Sequence, residues 1–293
     1  MTQKPLENYF RQPQLAMKLP SGGRYWLTGS LADSVTDEHS VYAMTARDEI
    51  VMKQPDSLMN GQATVDVIKS CVPSIINPWH MPSIDLDAVL VSIRIATYGS
   101  NMDMMVTVPK SKETITVQVD LNQTMEKLSQ VHINDNITMS NGIIVKIKPL
   151  NYQQMSKLQV KSYEEQRMIK TMNDANLTEE QKLIKYQEIF SKLTNYNIET
   201  LVDSIESVTT PQEETVTDRS QIMNWVMNID SQEANMIKAG MDDLRSQGSI
   251  KPITVQSPQS LVEQGSPATF ETPITLDASN FFGLKSFRSR NLT

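Results

Sequence analysis

The chain of 293 residues contains one cysteine, three histidines and few aromatic residues, which make up 6 % of it. A single cysteine, Cys71, excludes an internal disulfide and a cysteine-based zinc site within one chain. No apolar run approaches the ~18 residues that a membrane-spanning helix needs. The net charge of -7 provides no general attraction to nucleic acid or to an anionic membrane. Because residues 1–11 are polar and unlike a signal peptide, we expect the chain to fold in a reducing cytoplasm.

Residues that could support catalysis are sparse and widely separated. His39, His80 and His132 lie far apart in the sequence, and none has the spacing of a metal-ligand pair. The sequence has no nucleophile elbow, phosphate-binding loop or dinucleotide fingerprint. Cys71 follows apolar residues at helical spacing, which favours a buried structural thiol over a nucleophile. We therefore predict no catalytic residue, no metal ion and no cofactor.

Hydrophobic periodicity predicts an α+β fold. Apolar residues at helical spacing indicate helices at about 57–72 and 85–98. Alternating and β-branched runs follow, and Asn141-Gly142 between two of them is typical of a β-hairpin. The helical pattern returns from about 152 to 248, interrupted by a Thr/Glu-rich stretch at about 207–218 that we interpret as a linker. The prediction is a mostly helical body with a small antiparallel β-hairpin unit and an extended C-terminal tail.

Five segments follow from these changes of pattern. They are an N-terminal arm and turn (1–45), a helical segment (46–100), a small β unit (101–150), a helical domain (151–248) and an extended tail (249–293). Proline recurs among Gln, Ser and Thr in the tail, a composition that is loosely ordered in isolation. A second hairpin within the tail is the alternative to a fully extended segment.

Several residues are candidates for structural roles. Pro20 and Gly22 form a turn that leads to Tyr25, because proline restricts φ and glycine permits unusual backbone angles. Asp85 and Asp87 lie at the predicted start of a helix, where negative charge complements the helix dipole. They face different directions and make a poor acid/base pair.

Arg94 lies within the apolar run Ser92-Ile93-Arg94-Ile95-Ala96. A buried arginine at this position would need a carboxylate partner, which Asp85, Asp87 or Asp48 could supply. The alternative is an exposed arginine on the outer face of the helix. The two interpretations are equally compatible with the sequence.

An apolar cluster lies near the C-terminus, among basic residues. It comprises Phe281, Phe282, Leu284 and Phe287. Burying each of these side chains would contribute roughly 1.5–3 kcal/mol. The cluster therefore predicts a contact that fixes the tail, either by folding back on its own domain or by docking on a neighbouring subunit.

A series of short motifs resembles one known family. Leu19-Pro20-Ser21-Gly22 with Tyr25, then the motifs at 44–49, 69–72, 85–87 and 92–99, and finally the segment 276–283 resemble the baseplate hub and hub-assembly proteins of T-even-type contractile-tailed bacteriophages. The match is strongest over residues 19–150. The resemblance implies a structural protein of the virion's tail baseplate that is assembled in the host cytoplasm. It implies an oligomeric assembly with other baseplate hub proteins, and the tape-measure protein as a further partner.

One departure from the family concerns a metal site. Many relatives carry C-P-x-C after the Thr-Tyr-Gly helix, which is typical of a zinc knuckle. Here Val108-Pro109-Lys110-Ser111 occupies that place, and Val108 and Ser111 cannot bind zinc tightly. A similar vestige is Val255-Gln256-Ser257-Pro258. We therefore expect degenerate zinc-ribbon-like hairpins in which packing of β-branched residues replaces the metal.

Two other functions compete with a structural role. One is a hub-assembly chaperone that is absent from the mature virion. The other is a cell-wall hydrolase of the tail tip, although such enzymes usually need a carboxylate pair or a histidine-based site. The sequence favours a structural role, in which the protein binds its neighbours through buried interfaces, over both alternatives.

Overall fold

The computed structural model describes residues 6, 9–52, 61–174 and 178–274. It combines helices with small antiparallel sheets, so the predicted α+β class is confirmed. In chain order the elements are β1 (Pro13–Met17), β2 (His39–Tyr42), α1 (Ala46–Met52), α2 (Gln62–Cys71), a 3-10 turn (Pro78–His80), α3 (Ser83–Tyr98), β3 (Asn101–Thr107), β4 (Thr114–Asp120), α4 (Leu121–Ser129), β5 (Asn136–Thr138), β6 (Ile144–Ile147), α5 (Tyr152–Asp174), α6 (Glu179–Asp203), β7 (Ile205–Thr209), β8 (Thr215–Val216), α7 (Arg219–Asn228), α8 (Ser231–Gln247), β9 (Ile253–Gln256), α9 (Gln259–Val262) and β10 (Thr269–Thr272).

The chain divides into two compact units. The first takes its described residues from Met1–Pro78, Asp85–Val131 and Gly248–Thr293, and the second from Trp79–Ile84 and His132–Gln247. None of the helices in the described ranges has the length and apolar character that crossing a bilayer requires.

Three two-stranded antiparallel sheets belong to the first unit: β1 with β2, β3 with β4, and β9 with β10. Residues of β3 alternate between exposed and buried, as the two-residue period of a strand requires. The inward side chains Met102, Met104 and Val106 enter a core to which β4, α3 and the β9–β10 hairpin also contribute. The fully or nearly buried members of this core are Val91, Met102, Met104, Val106, Val119, Leu121 and Ile274.

The second unit is built on a four-stranded antiparallel sheet in the order β5-β6-β7-β8. As predicted, Asn141-Gly142 connects a hairpin: Gly142 has a φ of 82°, and its N–H donates to the carbonyl of Met139 at 3.0 Å. Its core comprises Ile84, Met139, Val145, Ile147, Leu201, Val202, Ile205, Val208, Ile222, Val226, Ile237 and Leu244. The β3–β4 and β5–β6 hairpins, which both fall within the predicted β unit of residues 101–150, lie in different units.

The predicted linker at about 207–218 is wrong. The stretch contains the end of strand β7 and all of strand β8, which pair with each other, and β7 also pairs with β6. Their turn is closed by a hydrogen bond from Thr210 N–H to the carbonyl of Glu214 at 2.9 Å. The prediction failed because β8 has only two residues and the turn before it is polar, so the stretch carries little periodicity of its own. Pairing with β6 supplies the order that local composition does not indicate.

Candidate functional site

A buried carboxylate organises the N-terminal turn of the first unit. Asp85, in the first turn of α3, is completely buried. Its Oδ1 accepts a hydrogen bond from Ser21 N–H at 2.8 Å. Its Oδ2 accepts from Ser21 Oγ at 2.6 Å and from Trp26 Nε1 at 2.8 Å. We call these three residues the Asp85 cluster.

Two opposing effects act on the Asp85 carboxyl. Burial raises the pKa of Asp85 to about 6, while the donors on Ser21 and Trp26 act to lower that pKa. The donors therefore offset only part of the penalty of removing a charge from water. Among the described residues the Asp85 carboxylate has no cationic partner, and it holds the turn through the hydrogen bonds from Ser21 and Trp26.

The turn held by this cluster contains the residues that the sequence singled out. Pro20 is buried, whereas Gly22 is exposed, and Gly22 and Tyr25 have φ angles of 60° and 67°. Gly23 N–H donates to Ser21 Oγ at 3.1 Å, which adds a further bond inside the turn. The turn thus contains residues with left-handed backbone angles, and its residue Ser21 is hydrogen-bonded to Asp85 in α3.

Asp87 points elsewhere, to the C-terminal part of the first unit. Its Oδ2 accepts a hydrogen bond from Ile250 N–H at 2.9 Å. Asp85 and Asp87 therefore bind different segments of the chain and do not form a carboxylate pair. This geometry agrees with the divergent directions expected of residues two apart in a helix.

A second polar group, the Arg11 cluster, consists of Arg11, Asp48 and Ser70. Arg11 Nη2 donates to the carbonyl and to the Oγ of Ser70 at 2.7 and 2.8 Å, and Nη1 donates to the carbonyl of Ala43. Asp48 Oδ2 lies 3.6 Å from Nη1 and accepts from Ser70 Oγ at 3.0 Å. The cluster connects the residues just before β1 to α1 and to the end of α2.

Asp48 also stabilises the first turn of α1. Its Oδ2 accepts from the N–H and Oγ1 of Thr45 at 2.7 and 2.8 Å, and Thr45 Oγ1 accepts from Asp48 N–H at 3.2 Å. This reciprocal pair is the bonding pattern of a capping box. Thr45 thus directly precedes α1 and caps its first turn.

Arg94 is buried, so the exposed alternative drawn from the sequence is wrong, but no carboxylate partner is found for it among the described residues. Its Nη1 donates to the carbonyl of Gly99 at 3.1 Å, and its guanidinium lies 4.7 Å from the ring centre of Tyr98. Within the described ranges, Arg94 Nε has no hydrogen-bond partner. Tyr98 donates from its hydroxyl to Glu49 Oε1 at 2.9 Å. The helix end and an aromatic face thus take the place of the expected ion pair.

The remaining candidates carry no metal-binding geometry. Val108 is fully buried, while Ser111 is partly exposed and its Oγ accepts from Glu113 N–H at 3.3 Å. Across the described ranges, no three His, Cys, Asp or Glu side chains are grouped as metal ligands. The four apolar residues of the C-terminal cluster, Phe281, Phe282, Leu284 and Phe287, lie outside the described residues.

The cysteine and one histidine are buried. Burial and the nearby Asp48 raise the pKa of the Cys71 thiol to about 11, so the thiol stays protonated at neutral pH. His39 Nδ1 lies 3.0 Å from Ser74 Oγ, and burial lowers the pKa of His39. These environments are those of structural residues.

The hydrogen bonds of Ser21 and Trp26 to Asp85, and those made by Arg11, were not predicted from the sequence. Ser21 is 64 residues from Asp85, and Arg11 is 59 residues from Ser70. No short motif joins positions so far apart. The only local signal was the Pro-Ser-Gly-Gly turn itself, which marked the segment but gave no indication of its partner.

The described polar clusters join segments of one chain to each other. A sequence profile described as T4 bacteriophage base plate protein matches residues 12–255. This match covers most of the chain, and the protein belongs to that base plate family. No protein with curated annotation and no solved structure shows significant similarity to it. Membership in the family confirms the resemblance drawn from the motifs and implies interactions with other phage tail proteins.

Proposed function

We propose that this protein is a structural component of the baseplate hub and acts through protein–protein interfaces during assembly of a contractile tail. The observation that carries the proposal is the family match over residues 12–255. The motifs between residues 19 and 150 follow one another as they do in baseplate hub proteins. This resemblance supports a role in the hub over a role elsewhere in the base plate. We place the protein in the mature virion after assembly in the host cytoplasm.

The chemistry of the described clusters supports binding without catalysis. The carboxylates of Asp85 and Asp48 accept hydrogen bonds from neighbouring segments, and Arg94 bonds a helix-terminal carbonyl. These buried charges hold backbone segments in place, so none of them is available to activate a nucleophile or a water. The role that remains for the surface is contact with other subunits.

For the C-terminal cluster we propose docking on a neighbouring hub protein. Phe281, Phe282, Leu284 and Phe287 supply large apolar side chains within seven residues of chain. Aromatic side chains of this kind are the usual central residues of protein interfaces. Other hub proteins and the tape-measure protein are the proposed partners.

The hairpins of the first unit are proposed to be degenerate zinc-ribbon-like elements that fold without metal. Val106 belongs to the buried core of the first unit, Val108 just after β3 is fully buried, and Ile115 and Val117 are partly buried on β4. Their packing supplies stabilisation that a metal ion supplies in a zinc knuckle. Elemental analysis of purified protein should therefore find no stoichiometric zinc, and about one zinc per chain would contradict the proposal.

Mass spectrometry of purified particles tests the structural role directly. We expect the protein in intact virions at a fixed ratio to other base plate proteins. Abundance in infected cells combined with absence from particles would favour the chaperone alternative. Zymography on bacterial cell walls tests the hydrolase alternative, and a lytic band from pure protein would refute a non-catalytic role.

A further inference from the structure

We draw no further inference here: the strongest candidate, the buried guanidinium of Arg94 near the end of α3, carries none because nothing in the structure shows which group would meet its Nε, a buried atom without a hydrogen-bond partner among the described residues.

Discussion

Asp85 provides a direct test of how the first unit is held together. Replacing it with alanine leaves three donors without their acceptor: Ser21 N–H, Ser21 Oγ–H and Trp26 Nε1–H. Each buried donor that loses its partner costs about 1–3 kcal/mol. Trp26 is only partly buried, so its indole N–H can hydrogen-bond to water once the carboxylate is lost. The total cost of the three lost bonds therefore lies in the lower part of the summed range. We expect Asp85→Ala to lower the free energy of unfolding by about 3–5 kcal/mol.

The dependence of stability on pH separates burial from hydrogen bonding. Burial raises the pKa of Asp85 from an ordinary 3.8 to about 6, so the folded state binds the proton more tightly than the unfolded state does. The resulting stabilisation is complete below the unfolded pKa and is lost as the pH rises through about 6. A pKa raised from 3.8 to about 6 corresponds to about 3 kcal/mol of stability.

Asp85→Asn removes this titration while keeping one acceptor oxygen. Between pH 7 and pH 4, the unaltered protein should gain up to about 3 kcal/mol of unfolding free energy relative to Asp85→Asn. Urea unfolding followed by tryptophan fluorescence measures this difference. In a background with Trp79→Phe and Trp225→Phe, the remaining indole reports on Trp26 within the cluster.

The sign of the result decides which effect dominates. A difference that stays constant from pH 7 to pH 4 would show that the Asp85 pKa is the same in both states. A loss of relative stability on acidification would show that the three donors outweigh burial and hold the pKa below its ordinary value. Either outcome would refute the reasoning above.

Three further changes test other parts of the structure. Arg11→Ala should destabilise the first unit by about 2–4 kcal/mol, because Asp48 loses its cation and two carbonyls lose donors; chemical denaturation measures this, and an unchanged midpoint would contradict the role of the Arg11 cluster. Gly240→Ala on α8 places a Cβ 2.7 Å from Ile137 Cγ1, and we expect a net loss of about 1–2 kcal/mol since overpacking exceeds the gain in helix propensity. A more stable variant in thermal unfolding would show that Ile137 moves aside freely. Deleting residues 276–293 should weaken pull-down of hub partners while circular dichroism stays the same; retained binding would exclude the proposed C-terminal docking.

Features governed by neighbouring residues were predictable from the sequence. The start of α1 at Thr45 depends on an aspartate three residues later, and both are visible in one short motif. The β5–β6 hairpin depends on a glycine that adopts a φ of 82° at little cost. Gly99, with a φ of 85°, ends α3 as the pattern indicated. In each case the backbone angles of a few residues decide the outcome, and residue type restricts those angles.

Features governed by distant pairing were decided by the tertiary structure. Val145 pairs with Val208 across more than sixty residues, which turned an expected linker into part of a sheet. The sequence left the surroundings of Arg94 open, and in the fold its guanidinium donates to the carbonyl of Gly99 just beyond its own helix. Ser21 and Asp85 are 64 residues apart in the sequence, and the fold brings them within hydrogen-bonding distance. Closing such long loops costs conformational entropy that local residues cannot offset, so these contacts exist only where burial of the surrounding core stabilises them.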